Sequence, residues 1–304
     1  MPCYSPLQAY YAAEPNAATG KYSLVFNPGK LSASLEPVEV PCGRCIGCRL
    51  ERSRQWALRI THEQSLHSEN CFITLTYDPE HLPYTNSLDK DHFQRFMKRL
   101  RKFLSPRKIR FFACGEYGDE NYRPHYHAII FGYDFPDKVA YTKNQSADIV
   151  YTSELLLKIW GMGFVSVGGV TFESAAYVAR YVCKKVTGDA AIEHYTRVDP
   201  ETGEMFFIEP EFALMSRKPG IARDWYEKYR SDLNKGFITS RGIKMMPPKY
   251  YTNLLEKDDP FLWEHLKNQR IEAGLANYAD NTAERLAVKE VIKKRKFNQL
   301  KRNI

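Results

Sequence analysis

The chain has 304 residues, 43% hydrophobic and 26% charged, with a net charge of +8, enough for one large domain or two modest ones with a real core. That charge favours a polyanionic partner, nucleic acid before membrane, although a soluble basic protein with no such partner has the same balance. Residues 1–15 lack a basic region followed by an apolar one, so they do not read as a signal peptide, and no stretch approaches the roughly 18 apolar residues of a membrane helix; the expected location is the cytoplasm, with no membrane partner. The seven cysteines then read as thiols or metal ligands rather than disulfides.

The first 40 residues hold few periodic signals and read as loop. Residues 49–67 form an arginine-rich helix with a partial apolar stripe. CFITLTY (71–77) is dense in β-branched and aromatic residues and predicts a strand. In 89–104, Phe93, Phe96, Met97, Leu100, Phe103 and Leu104 recur at helical spacing, giving an amphipathic helix stopped by Ser105-Pro106. IRFFACG (109–115) and HYHAIIFG (125–132) are further strands, 153–160 is a helix ended by Gly161, 164–170 a fourth strand and 173–186 a helix. The order β-α-β-β-α-β predicts an α+β fold of the split βαβ, ferredoxin-like kind, an antiparallel sheet with helices on one side. DPETGEMFF (199–207) predicts a hairpin, and from about 222 the pattern is helical and loop-rich. The last 20 residues carry eight Lys/Arg against one Glu, either a DNA-binding tail or a solvated basic helix.

His125 and His127 stand two apart in a strand, so both imidazoles point to one side and can converge on one ion. Ile129 and Phe131 continue that face; Tyr126, Ala128 and Ile130 take the other. An H-x-H pair is also compatible with plain structural histidines. Glu116, at the end of the preceding strand, is the first choice for a third ligand; Asp119 and Glu120 in the connecting loop are weaker choices. Mixed imidazole and carboxylate ligands with open positions suit Mg²⁺ or Mn²⁺.

Tyr177 and Tyr181 sit one turn apart on the 173–186 helix, and Lys184 falls on the same face. Ala175, Val178, Ala179, Val182 and Val186 gather opposite as a separate core stripe. A tyrosine nucleophile has a pKa of about 10, so ionising it at neutral pH costs about 4 kcal/mol. A neighbouring lysine and a metal that polarises a phosphate reduce that demand. Lys184 is placed to stabilise the phenolate or a departing oxyanion, with Lys185 the second choice.

FITLTY (72–77), RPHYHAIIFG (123–132) and YVARYVCKK (177–185) together resemble the three motifs of the HUH endonucleases, initiators of rolling-circle replication. The two tyrosines followed by lysine are similar to the two-tyrosine initiators. PCGRCIGCR (41–49), GEYG (115–118) and SRKPGI (216–221) look like the microvirus branch of small single-stranded DNA phages, the gokushoviruses in particular. The resemblance runs over about residues 1–225. The expected division of the chain is a cysteine-rich segment and basic helix over 1–68, an HUH endonuclease core over 69–190, and a C-terminal hairpin and helical basic region over 191–304. The resemblance implies that one tyrosine nicks single-stranded DNA at the replication origin, leaving a 5′-phosphotyrosine link and a free 3′-OH, and that the other later allows the strand to be rejoined as a circle. No Walker-type phosphate loop is present, so a host helicase and DNA polymerase are the implied partners. Arg123, Lys185, Arg44 and Arg49 are the candidate DNA contacts.

Cys42, Cys45 and Cys48 form C-x-x-C-x-x-C, and Cys3 can supply a fourth thiolate if the N-terminal segment folds back. Four thiolates suit structural zinc. Part of an iron–sulfur run and free thiols are the alternatives. Cys71, Cys114 and Cys183 are expected to be buried thiols. Two other readings stay open: a plasmid or transposon relative of the same chemistry, and a non-catalytic DNA-binding protein, which has no use for the tyrosine pair with Lys184.

Overall fold

A computed structural model describes residues 3–27, 36–118, 121–143, 147–181, 185, 186, 188, 190–199 and 201–299, except for the side chain of 181. The described residues fall into two compact units, one drawn from residues up to 51 and from 267 onward, the other spanning 52–266.

In the first unit, β1 (Leu7–Pro15) pairs antiparallel with both β2 (Tyr22–Val25) and β3 (Val38–Val40). The loop expected over the first 40 residues is therefore a three-stranded sheet. Its strands are largely exposed, so they lack the alternation of apolar and polar residues that marks a half-buried strand. Helix α1 (Ile46–Gln64) follows, beginning in this unit.

The second unit is built on a seven-stranded antiparallel sheet. Its members in chain order are β4 (Asn70–Thr76), β5 (Arg110–Tyr117), β6 (Pro124–Phe131), β7 (Val139–Lys143), β8 (Ile149–Thr152), β9 (Val165–Gly168) and β12 (Phe212–Met215), in the spatial order β12-β5-β6-β4-β9-β8-β7. The four strands expected from the sequence lie together as β5-β6-β4-β9, with β6 inserted between β4 and β5, which is the split βαβ connection. The hairpin of β7 and β8 and the edge strand β12 are additions with no clear period in the sequence.

Helix α2 (Lys90–Leu104) starts where the Asp89 carboxylate accepts from the amides of Asp91 and His92. It buries Phe93, Phe96, Met97, Leu100 and Leu104, whereas Phe103 is 55% exposed, off the edge of the apolar stripe. Helix α3 (Glu154–Trp160) is capped by Ser153 and closed by Gly161 in the left-handed region. Both helices pack with Ile73, Leu75, Tyr126, Ala128 and Ile130 on one face of the sheet. The opposite face carries Phe72, Phe112, Ile129 and Phe131 and is covered by α1, by α4 (Phe172–Tyr181), and by α6 (Arg223–Tyr229) and α7 (Lys249–Asp258). Helices thus cover both faces rather than one. The β6 alternation sorts residues as expected: His127, Ile129 and Phe131 share the α4 side, and Tyr126, Ala128 and Ile130 the α2 side.

Gly163 fixes the entry to β9. Its φ is +136°, and a Cβ there would lie 2.2 Å from the amide nitrogen of Asp78. That close approach lets Met162 and Phe164 carbonyls accept from Asp78 and Thr76 amides, which seats β9 against β4. Before α4, Thr171 and Ser174 cap each other reciprocally, each hydroxyl accepting from the other's amide.

Beyond the core sheet, α5 (Ala190–Tyr195) leads into the expected hairpin, β10 (Thr196–Val198) with β11 (Met205–Phe207), turned by Asp199. A second hairpin, β13 (Ile238–Ser240) with β14 (Ile243–Met245), interrupts the region read as helix and loop. Helices α8 (Pro260–Ala276) and α9 (Ala283–Gln299) are the last helices among the described residues. Cys71 and Cys114 are buried as expected; Cys183 lies outside the described residues. Among the described residues, no helix is long and apolar enough to cross a membrane.

Candidate functional site

Strand register assembles the first cluster. Glu116 on β5 is the direct cross-strand partner of His125 on β6, and His127 faces Thr74 on β4. Because β5 runs on to Tyr117, Glu116 lies inside the strand and is buried instead of sitting at a solvated loop margin. Glu116 Oε1 is 2.9 Å from His125 Nε2 and 2.8 Å from His127 Nε2. One ligand atom from each residue lies within 4.8 Å of the others. Asp119 and Glu120 lie outside the described residues.

The outer nitrogens orient the rings. His125 Nδ1 is 3.1 Å from the Arg123 carbonyl, which can only accept, so this nitrogen carries the proton. In neutral His125 the lone pair is then on Nε2 and faces the Glu116 carboxylate at 2.9 Å. Two electron-rich atoms at that distance need a cation between or beside them, a proton or a metal ion. The donor set therefore fits a metal. His127 Nδ1 meets the Thr74 hydroxyl at 3.0 Å, and its ring packs against Phe72. Burial pushes the Glu116 carboxyl up, but the two imidazoles beside it, His125 and His127, outweigh burial and hold it below the ordinary value.

Helix α4 brings Tyr177 to this cluster. Its hydroxyl is 3.5 Å from Glu116 Oε1, and its ring meets that of His127 edge-on with centroids 5.2 Å apart. Ala175, Val178 and Ala179 are buried in the core and the Tyr177 ring packs against the same cluster, whereas Val186, expected on that stripe, packs against the cluster on the other face of the sheet because the helix ends before it. Tyr181 is the last residue of α4, one turn on; its side chain, Val182 and Lys184 lie outside the described residues. The helix expected to reach 186 does not: Lys185 and Val186 are non-helical, and Lys185 is exposed. Lys185 therefore does not sit on the tyrosine helix, where helical spacing expects it. Sequence reasoning passed over a different cation, Arg180, whose guanidinium carbon lies 5.8 Å from the Tyr177 ring centre. It also passed over Thr74, which alternation within FITLTY places on one face with Phe72 and which strand pairing sets opposite His127. Arg123 is half-buried and donates to the Tyr77 carbonyl, which occupies it in holding the loop before β6.

In the other unit, the sulfurs of Cys3, Cys42, Cys45 and Cys48 lie within 4.8 Å of one another. Cys3 is buried and none of the four is in a disulfide. Arg44 is exposed on the turn between Cys42 and Cys45, and Arg49 is half-buried in the first turns of α1.

Six of the seven sheet strands, the two histidines, the buried carboxylate and the tyrosine helix lie within residues 70–186, which match the family model described as replication-associated protein ORF2/G2P. Over the whole chain it is 31% identical to the replication-associated protein VP4 of Bdellovibrio phage phiMH2K, covering 99% of that protein. It is 33% identical to the replication-associated protein ORF2 of Spiroplasma virus 4, over 76% of this chain and 72% of that one. It is 32% identical to the replication-associated protein ORF4 of Chlamydia phage 1, over 72% and 54%. The chain belongs to the replication-associated protein family of the microviruses. No solved structure matches it.

Proposed function

We propose that this protein initiates rolling-circle replication of a single-stranded DNA phage genome by nicking the origin strand with a tyrosine of α4. The observation that carries the reading is the Tyr177 hydroxyl, 3.5 Å from a buried carboxylate that two imidazoles also face. A binding protein has no need for a nucleophile beside such a donor set.

Glu116, His125 and His127 would hold the ion, with Mg²⁺ or Mn²⁺ favoured by the hard carboxylate and the small number of protein donors. Bound there, the ion would polarise a non-bridging oxygen of the scissile phosphate. The chain's own residues do the rest. The Tyr177 hydroxyl gives up its proton, Oη attacks phosphorus, and the bond from phosphorus to the 3′ oxygen breaks. The products are a 5′-phosphotyrosine and a free 3′-OH once that oxygen takes a proton. Glu116 is within reach of the Tyr177 hydroxyl proton, and Arg180 offsets the growing phenolate charge. Tyr181, one turn along, supplies a second nucleophile, so the first strand can be released and resealed without the enzyme leaving the DNA. A host polymerase extends the 3′-OH, and a host helicase opens the duplex. In this reading the site of action is the cytoplasm of the host bacterium.

The test is an origin-bearing single-stranded oligonucleotide incubated with Mn²⁺ and the wild type, Tyr177→Phe, Tyr181→Phe or the double variant. Each single variant is expected to form a covalent adduct through its remaining tyrosine, and the double variant none. An adduct that persists in the double variant overturns the assignment.

A further inference from the structure

The cysteine cluster takes no part in the nicking chemistry and stands in the other compact unit. We propose that Cys3, Cys42, Cys45 and Cys48 bind one structural zinc ion as a closed four-thiolate site.

Strand pairing delivers the ligands. Leu7 on β1 is opposite Val40 on β3 in antiparallel register. Continued outward, that register carries residue 5 toward 42 and residue 3 toward 44, so Cys3 arrives beside the turn holding Cys42 and Cys45. Gly43, at φ +74°, bends that turn. Helix α1 starts at Ile46, which places Cys48 in its first turn, back toward Cys45.

The backbone is aimed at the sulfurs. Cys42 Sγ accepts from the amides of Arg44 at 3.4 Å and Cys45 at 3.3 Å. Cys45 Sγ accepts from Tyr4 at 3.3 Å and Cys48 at 3.5 Å, and Cys3 Sγ from Cys42 at 3.3 Å. Amide donors of this kind favour the charged thiolate that binds metal. Four thiolates packed together repel one another strongly, and a divalent cation at their centre removes that cost.

The spacing selects a single ion. A tetrahedral zinc with Zn–S bonds of about 2.3 Å sets its sulfurs about 3.8 Å apart. Cys45 Sγ and Cys3 Sγ are 4.0 Å apart, and all four sulfurs fall within 4.8 Å. An iron–sulfur cluster interposes several irons and sulfides between its thiolates and needs a wider cage. A disulfide would need sulfurs at about 2.05 Å. With all four positions taken by protein, the site leaves none for a substrate and acts as a clasp, closing the chain between residues 3 and 42 on the start of α1.

The test uses the full chain, purified under reducing conditions, in wild-type, His125→Ala/His127→Ala, Cys3→Ser and Cys3→His forms. Metal content is measured directly, and cobalt(II) is exchanged in as a probe, because its thiolate charge-transfer bands report sulfur ligands and not imidazoles. The expected result is about one zinc per chain in the wild type and in the double-histidine variant. Both should give strong thiolate-to-cobalt absorption. Cys3→Ser should lose part of that absorption and release zinc to a chelator at least about tenfold faster, and Cys3→His, which still offers a zinc ligand, should retain the metal. Three results would overturn the proposal: iron in place of zinc, zinc lost with the two histidines, or a Cys3→Ser spectrum identical to wild type. The first two leave the tyrosine chemistry untouched, and failure of the tyrosine assay leaves this site untouched.

Discussion

The two donor clusters of this protein are alike in compactness and opposite in chemistry. Glu116, His125 and His127 and the four cysteines each bring their ligand atoms within 4.8 Å. The first set has three protein donors of mixed charge, spread over two neighbouring strands, with a tyrosine hydroxyl beside it. The second has four identical soft donors, three of them before α1 with their sulfurs accepting amide hydrogen bonds and the fourth, Cys48, in the first turn of that helix. An ion with open positions can meet a phosphate, whereas an ion enclosed by four thiolates can only hold chain segments together. The sheet cluster has the Tyr177 hydroxyl at hand, the group proposed to attack the phosphate.

The sharpest way to break this contrast is His127→Ala. Nicking of an origin oligonucleotide is expected to fall by more than about a hundredfold, the equivalent of several kcal/mol of lost phosphate activation. The metal content of the cysteine site should be unchanged. Undiminished nicking, or the same loss of metal from both sites, would show that the clusters do not divide the work this way.

A smaller effect is expected one layer out. Thr74→Val removes the hydroxyl that meets His127 Nδ1 and leaves the ring free to tilt. Apparent Mn²⁺ affinity in the nicking assay should weaken by about tenfold or more, with Thr74→Ser close to wild type. Equal behaviour of the valine and serine variants would remove Thr74 from the account.

The smallest effect concerns stability alone. His62 stacks on Trp225 with ring centroids 3.6 Å apart and meets the Tyr251 hydroxyl at 2.8 Å. Burial pushes its pKa down from 6.5 to about 3. Between those values the unfolded chain binds a proton that the folded chain does not, so stability falls as the pH drops below about 6.5. The urea midpoint should decline from pH 7 to pH 5, and His62→Gln should flatten that slope. An unchanged slope would mean that other groups set the acid response.

Much of the sheet was legible because its strands obey simple periods. CFITLTY, IRFFACG and HYHAIIFG are bounded by turns and dense in β-branched or aromatic residues, and all three lie within one residue or two of β4, β5 and β6. The direction of the two histidines followed from alternation alone. Glu116 was named from its place near the end of the preceding strand, but its burial was not legible, because burial depends on β5 running two residues further and on cross-strand pairing with His125. The first three strands escaped notice because their residues are mostly exposed, and the second layer of helices did because tertiary packing, not local pattern, lays α1 and α4 on the far face. Lys185 was misplaced for a related reason: helical spacing was continued past Tyr181, and Lys185 is not helical. Arg180, inside the helix, was overlooked in favour of lysines further along.

The most direct measurement is the identity of the residue that carries the DNA. Wild-type protein would be reacted with an origin oligonucleotide and Mn²⁺, digested with protease and nuclease, and the nucleotide-modified peptide sequenced by mass spectrometry. The account predicts a 5′-phosphate linked to Tyr177 or Tyr181, and no modified peptide when Glu116 is replaced by Ala. A nucleotide on any residue outside α4, or an adduct that forms equally well without Glu116, would contradict it.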